Sequence, residues 1–107
     1  MNAAKLKGNL DLLLLSVLAG GPGHGYAVIT RLRERSDRAF DLPEGTVYPA
    51  LHRLEQDGLL DSAWDVVAGR RRRVYRLTAA GQESLADQAR EWRSFSASVA
   101  MVLGGAA

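Results

Sequence analysis

The chain has 107 residues, 47% of them hydrophobic and none of them cysteine, which suits one domain with one core and excludes disulfides and thiolate metal sites. Its net charge is only +2, yet nine of its fourteen basic residues fall in two stretches, Arg31–Arg38 and Arg70–Arg76. The longest apolar run, Leu12–Leu15 with Val17–Ala19, is too short to cross a bilayer, and no signal-peptide cleavage pattern precedes it. The expected setting is therefore the cytoplasm, with no membrane partner.

In chain order, GNLDLLLLSVLA over Gly8–Ala19 has the apolar density of a helix and stops at Gly20-Gly21-Pro22-Gly23. The loop GGPGHG resembles a phosphate cradle only superficially. It lacks the Lys-Ser/Thr ending of a P-loop and follows no strand, so a tight interhelical turn is expected. Tyr26, Ile29 and Leu32 recur at helical spacing opposite Arg31, Arg33, Glu34 and Arg35, predicting a second helix over Gly25–Ser36.

After a loop over Asp37–Pro43, Val47, Ala50, Leu51 and Leu54 form the inward stripe of a third helix that starts between Glu44 and Thr46 and ends at Gly58. Pro49 then lies in or just past the first turn, where its missing N–H costs little. Beyond Gly58 the period drops to two. Leu60, Ser62, Trp64 and Val66 alternate with Asp61, Ala63 and Asp65, and Arg72-Val74-Arg76 with Arg73-Tyr75-Leu77, giving two strands around an arginine-loaded turn. Thr78 caps a last long helix with apolar positions Leu85, Ala89, Trp92, Phe95, Val99 and Leu103.

The predicted fold is mostly α with a small β-hairpin: a winged helix-turn-helix over residues 1–77, continuous with a C-terminal dimerisation helix over 78–107 in one compact unit. In that fold the third helix enters the major groove of double-stranded DNA. Thr46, Tyr48, Pro49, His52 and Arg53 fall outside its apolar stripe and are the candidate contacts there. Tyr48 has a second reading, its ring packed under the hairpin with only the hydroxyl exposed.

Arg70, Arg71, Arg72 and Arg73 are the candidate contacts from the wing, because like charges crowded on a strand are unfavourable unless an anion offsets them. Arg76 is expected to be structural, while Arg35, Arg38, Lys5 and Lys7 are further candidates for phosphate. His24 and His52 are too few for a metal site, and neither a metal nor a cofactor is expected. No nucleophile–base pair or paired carboxylate motif stands out, which argues against an enzyme.

Three stretches, GNLDLLLLSVLAGGPGHGYAVITRLRE, GTVYPALHRLEQDGLLDSAW and GRRRRVYRLTAAG, resemble in order and spacing the PadR family of transcriptional regulators, over roughly residues 6–82. The resemblance implies a dimeric winged-helix repressor that leaves an inverted-repeat operator on binding a small aromatic or drug-like effector. It places this chain with the short subfamily, whose single last helix serves dimerisation. Leu85, Ala89, Trp92, Val99 and Leu103 would form that interface, with Trp92 and Phe95 either filling it or lining a flat effector pocket. The competing reading is a winged-helix protein-interaction module without sequence-specific DNA binding.

Overall fold

The structure, a computed structural model, describes residues 8–105, so Lys5 and Lys7 lie outside the described residues. Its elements are α1 (Leu10–Ala19), β1 (Gly23–His24), α2 (Gly25–Arg35), α3 (Glu44–Gln56), β2 (Leu60–Val67), β3 (Arg70–Leu77) and α4 (Ala79–Val102). This is the mostly helical winged helix-turn-helix that the periodicity predicts. The first three helices pack through Leu14, Leu15, Leu18, Val28, Leu32, Val47, Leu51 and Leu54, all buried, with Leu60 and Tyr75 of the hairpin closing the core.

Two details depart from the sequence reading. The loop between α1 and α2 is more than a turn, because Gly23–His24 pairs antiparallel with β3 and makes the order β1-β3-β2. Arg31 of α2 holds that loop by donating from Nη1 to the Gly21 carbonyl at 3.1 Å and from Nη2 to the Pro22 carbonyl at 3.0 Å. Its guanidinium occupies the space a side chain on Gly23 would need. Two residues alone cannot announce a strand by alternation.

The hairpin turn is also not arginine-loaded. Ala68 and Gly69 both take positive φ, 52° and 79°, which closes the hairpin in two residues with the twist such strands favour. Val67 therefore pairs with Arg70, and all the arginines lie within β3 itself. As the spacing predicts, α3 begins at Glu44, which places Pro49 just past the first turn. Proline there supplies no hydrogen to the Gly45 carbonyl one turn back, but both residues are exposed, so water can take that place.

α4 starts on a cap. The Thr78 hydroxyl accepts from the Gly81 amide at 3.0 Å and donates to the Gly58 carbonyl at 2.7 Å, so one side chain both begins α4 and anchors the end of α3. Gly81 is buried against the Leu59 carbonyl, where a Cβ would approach to 2.1 Å. Leu85 still leans on the core of the winged helix, whereas every residue from Arg90 to Val99 is exposed.

Candidate nucleic-acid interface

One face of the hairpin carries Ser62, Trp64 and Val66 of β2 beside Arg71, Arg73 and Tyr75 of β3, as the antiparallel register requires. On it the guanidinium carbons of Arg71 and Arg73 lie 5.0 and 5.5 Å from the Trp64 ring centroid. The indole, 57% exposed, thus fixes two flexible cations by cation–π attraction. Arg73 is further engaged: its Nε donates to the Ser62 hydroxyl at 2.8 Å, Ser62 donates to Glu55 of α3 at 2.6 Å, and Glu55 lies 3.8 Å from the same guanidinium. Arg76 pairs with Asp61 across the strands at 3.4 Å.

The side chains of Arg70, Arg71 and Arg72 make no ion pair or hydrogen bond with any described residue. The five arginines of β3 therefore divide into two with a carboxylate partner and three without. Between the wing and α3 lies a cleft of about 370 Å³, lined by His24, Tyr48, His52, Trp64, Arg71–Arg73 and Tyr75, with no carboxylate in its wall. Its field is cationic: burial first, then Arg72 and Arg31, holds the His24 imidazole below its ordinary pKa. A neutral ring is what the position requires, since His24 Nδ1 accepts from the Ala27 amide at 3.2 Å to cap α2. On the same cleft wall the Tyr75 hydroxyl is raised above its usual pKa, chiefly by burial and then by Glu55.

The third-helix candidates separate. Pro49 and His52 are exposed, Thr46 is half-buried, and His52 stands over the Tyr75 ring at 6.4 Å. Tyr48 is half-buried, its ring set against Gly25 at the start of α2 so closely that a Cβ there would stand 2.1 Å from Cε1. The ring is thus held by α2 as well as by α3, with one edge in the cleft. The Gly-Tyr pair that opens α2 owes its glycine to this contact.

Arg53 is placed otherwise than the sequence suggests. Its two terminal nitrogens fork onto both oxygens of Asp11 in α1, at 2.6 and 3.1 Å, and Asp57 lies 4.0 Å away. The Asp11 hydrogen bond raises its pKa above an already high value, so the guanidinium keeps its charge. Of the other phosphate candidates, Arg35 donates to the Ser16 carbonyl at 3.3 Å, while Arg38 is exposed in the turn after α2 with φ 68°.

The last helix carries a second feature. Trp92 and Phe95, with ring centroids 6.3 Å apart, share a shallow cavity of about 230 Å³ with Gly8, Asn9, Leu12, Gln88 and Glu91. Met101 lies beyond it. Trp92, Phe95, Val99 and Leu103 are 46%, 63%, 38% and 81% exposed, whereas Ala89 is half-covered. Among the described residues no helix is long and apolar enough to cross a membrane, and no group of His, Asp or Glu is arranged to hold a metal ion.

Comparison with known proteins agrees with this geometry. The model of the transcriptional regulator PadR-like family matches residues 14–87. A transcriptional regulator of Mycobacterium tuberculosis is 52% identical over 58 residues, a match that covers 54% of each chain and so about half the length of that relative. The crystal structure of a PadR family transcription regulator from Clostridium difficile is similar with a TM-score of 0.80 and 35% identity, over 90% of this chain and 99% of that one. A PadR-like regulator from Bacillus cereus reaches a TM-score of 0.84 at 27% identity, over 97% and 100% of the two chains. A family match across most of the chain, on a winged helix with a cationic cleft beside its third helix, makes this chain a member of the PadR-like family of transcriptional regulators rather than an enzyme.

Proposed function

We propose that the protein is a homodimeric, cytoplasmic DNA-binding repressor in which α3 enters the major groove and the wing engages the adjoining backbone or minor groove. The observation that carries the reading is the set of guanidiniums without a carboxylate partner, Arg70, Arg71 and Arg72, beside a cleft walled by Tyr48 and His52 and free of carboxylates. Unpaired like charges on one strand repel each other, and a phosphate backbone offsets that repulsion while releasing counterions. Tyr48, Thr46 and His52 supply the hydrogen-bonding groups for base edges or phosphate, with Pro49 in van der Waals contact. Arg73, tied to Glu55 and Trp64, stiffens the wing more than it neutralises phosphate.

The dimer reading rests on the exposed apolar run from Trp92 to Leu103, a surface that a small monomer has no reason to leave in water. The Trp92–Phe95 cavity is smaller than the ~300–1,000 Å³ usual for ligand pockets. A planar effector would therefore be enclosed only with a second copy of α4 against the first, and by shifting the two copies it would alter the spacing of the recognition helices and release an inverted-repeat operator. The test is a salt titration of binding to duplex DNA. Log affinity falls steeply with log salt in the wild type, and replacing Arg70, Arg71 and Arg72 by alanine lowers the slope by about one per lost phosphate contact. The absence of salt-dependent binding to duplex DNA in the wild type would return the fold to the protein-interaction reading.

A further inference from the structure

Arg53 projects from the recognition helix, carries a permanent charge and has the reach of a phosphate contact, yet its fork is closed on Asp11. Both hydrogen bonds are made, at 2.6 and 3.1 Å, and the partners are 42 residues apart in sequence on separate helices. A bidentate guanidinium–carboxylate pair fixes direction as well as distance, because both groups are planar and their donors and acceptors must align. The side chains are 49% and 33% exposed, a situation in which such pairs contribute little to stability. What the pair does supply is a polar tie between α1 and the outer flank of α3. α3 is otherwise held by its apolar stripe, Val47, Leu51 and Leu54, by the Tyr48 ring against Gly25 and by Glu55 on the hairpin, and the Asp11–Arg53 fork is the charged tie that fixes its rotation relative to α1.

We propose that Arg53 is a positioning residue, and that the Asp11–Arg53 fork sets the rotation of the recognition helix and with it the aim of Thr46, Tyr48 and His52. The inference rests on the DNA-binding reading above. It separates sharply from a phosphate-contact role because the two make opposite predictions for Asp11→Asn. That change removes a negative charge beside the recognition helix and frees a guanidinium, so if charge alone matters every DNA is bound more tightly. If the fork aims the helix, specific binding suffers whatever happens to general affinity.

The experiment uses the full chain, an operator duplex selected from a random pool by the wild-type protein, and a random duplex of equal length, with affinities measured by fluorescence anisotropy across a salt series. The expected result is that Asp11→Asn and Arg53→Gln each lower the operator-to-random ratio by at least about fivefold, the lower end of typical coupling between sites. The double variant is no worse than either single one, and the charge-swapped Asp11→Arg/Arg53→Asp protein recovers most of the ratio. Melting temperatures close to wild type would show that the losses are not unfolding. The inference is overturned if Asp11→Asn tightens operator and random duplex together, or if Arg53→Gln weakens both by one factor and lowers the salt slope by about one per subunit, the signature of a lost phosphate contact. A charge swap that stays as defective as Arg53→Gln also overturns it. Wild-type protein that binds neither duplex defeats the DNA-binding reading itself, and the positioning role with it.

Discussion

Replacing Gly25 by alanine tests how α3 holds its aromatic side chain. An added Cβ would stand 2.1, 2.7 and 2.9 Å from Cε1, Cδ1 and Cζ of Tyr48, where carbons in contact prefer about 3.5–4.0 Å. The backbone at residue 25 cannot retreat easily, because His24 is paired with Val74 in the sheet and caps α2 through Ala27. The ring must therefore turn out of its seat. Overpacking of this kind costs about 1–3 kcal/mol, offset by no more than ~1 kcal/mol of helix propensity, so we expect a net loss of about 1–2 kcal/mol. For a domain of this size that lowers the melting temperature by roughly 4–12 °C. In a Tyr48→Ala background the obstacle is gone, and Gly25→Ala becomes neutral or slightly stabilising. Thermal or urea unfolding of the four proteins in this cycle gives the coupling directly. Equal losses in both backgrounds would refute the argument, since the cost would then belong to the glycine backbone and not to the ring.

The His24 imidazole, held below its ordinary pKa of 6.5 by burial, Arg72 and Arg31, is neutral in the folded chain where the unfolded chain begins to take up a proton. Its contribution to stability is therefore full above about pH 6.5 and is lost as the pH falls from there through the lowered folded value; urea midpoints between pH 8 and 5 should show this slope, and His24→Asn, which can still cap α2, should flatten it. Val99→Asp, on the exposed part of α4, is expected to halve the sedimenting mass at micromolar concentration without unfolding the protomer. Leu85→Asp is a poor test of the same point, because Leu85 packs on its own protomer's core. Gly81→Ala should destabilise by about 1–3 kcal/mol, its Cβ meeting the Leu59 carbonyl at 2.1 Å, whereas Gly45→Ala, with nothing within 4 Å, should gain up to ~1 kcal/mol in the same unfolding assay.

The order and type of the long elements were legible because each repeats a burial period often enough to stand out. The Val47, Ala50, Leu51, Leu54 stripe predicts the buried face of α3, and the alternation of Ser62, Trp64 and Val66 predicts one face of β2. Features built from one or two residues were not legible. β1 is two residues long and exists because β3 offers it a partner, and the hairpin turn depends on Ala68 adopting a positive φ that alanine gives no sign of favouring. Thr78, by contrast, was readable as a cap, because a capping hydroxyl acts on the amide only three residues ahead.

The arginines show where reading from sequence stops. Arg53 and Arg70 look alike in a one-dimensional list: exposed cations in the half of the domain that a groove-binding fold turns toward DNA. Their surroundings differ because Asp11 meets the first across the interface of two helices, while the second stands at the hairpin tip with no carboxylate in reach. Similarly, Arg76 and Arg72 are four residues apart on one strand and both lie opposite an aspartate, Asp61 and Asp65, yet only the Arg76 pair closes. A charge run thus states how much positive charge the wing holds, and tertiary structure decides how much of it stays available. Two of the five arginines in β3 are bound internally, which leaves three as the upper limit on what one wing can contribute to the salt dependence of DNA binding through that strand. In the proposed dimer, with two wings on one operator, a measured loss of slope larger than about six on replacing all five with alanine would mean that Arg73 or Arg76 leaves its carboxylate for phosphate, and that the ion pairs seen in the free protein are exchanged on binding.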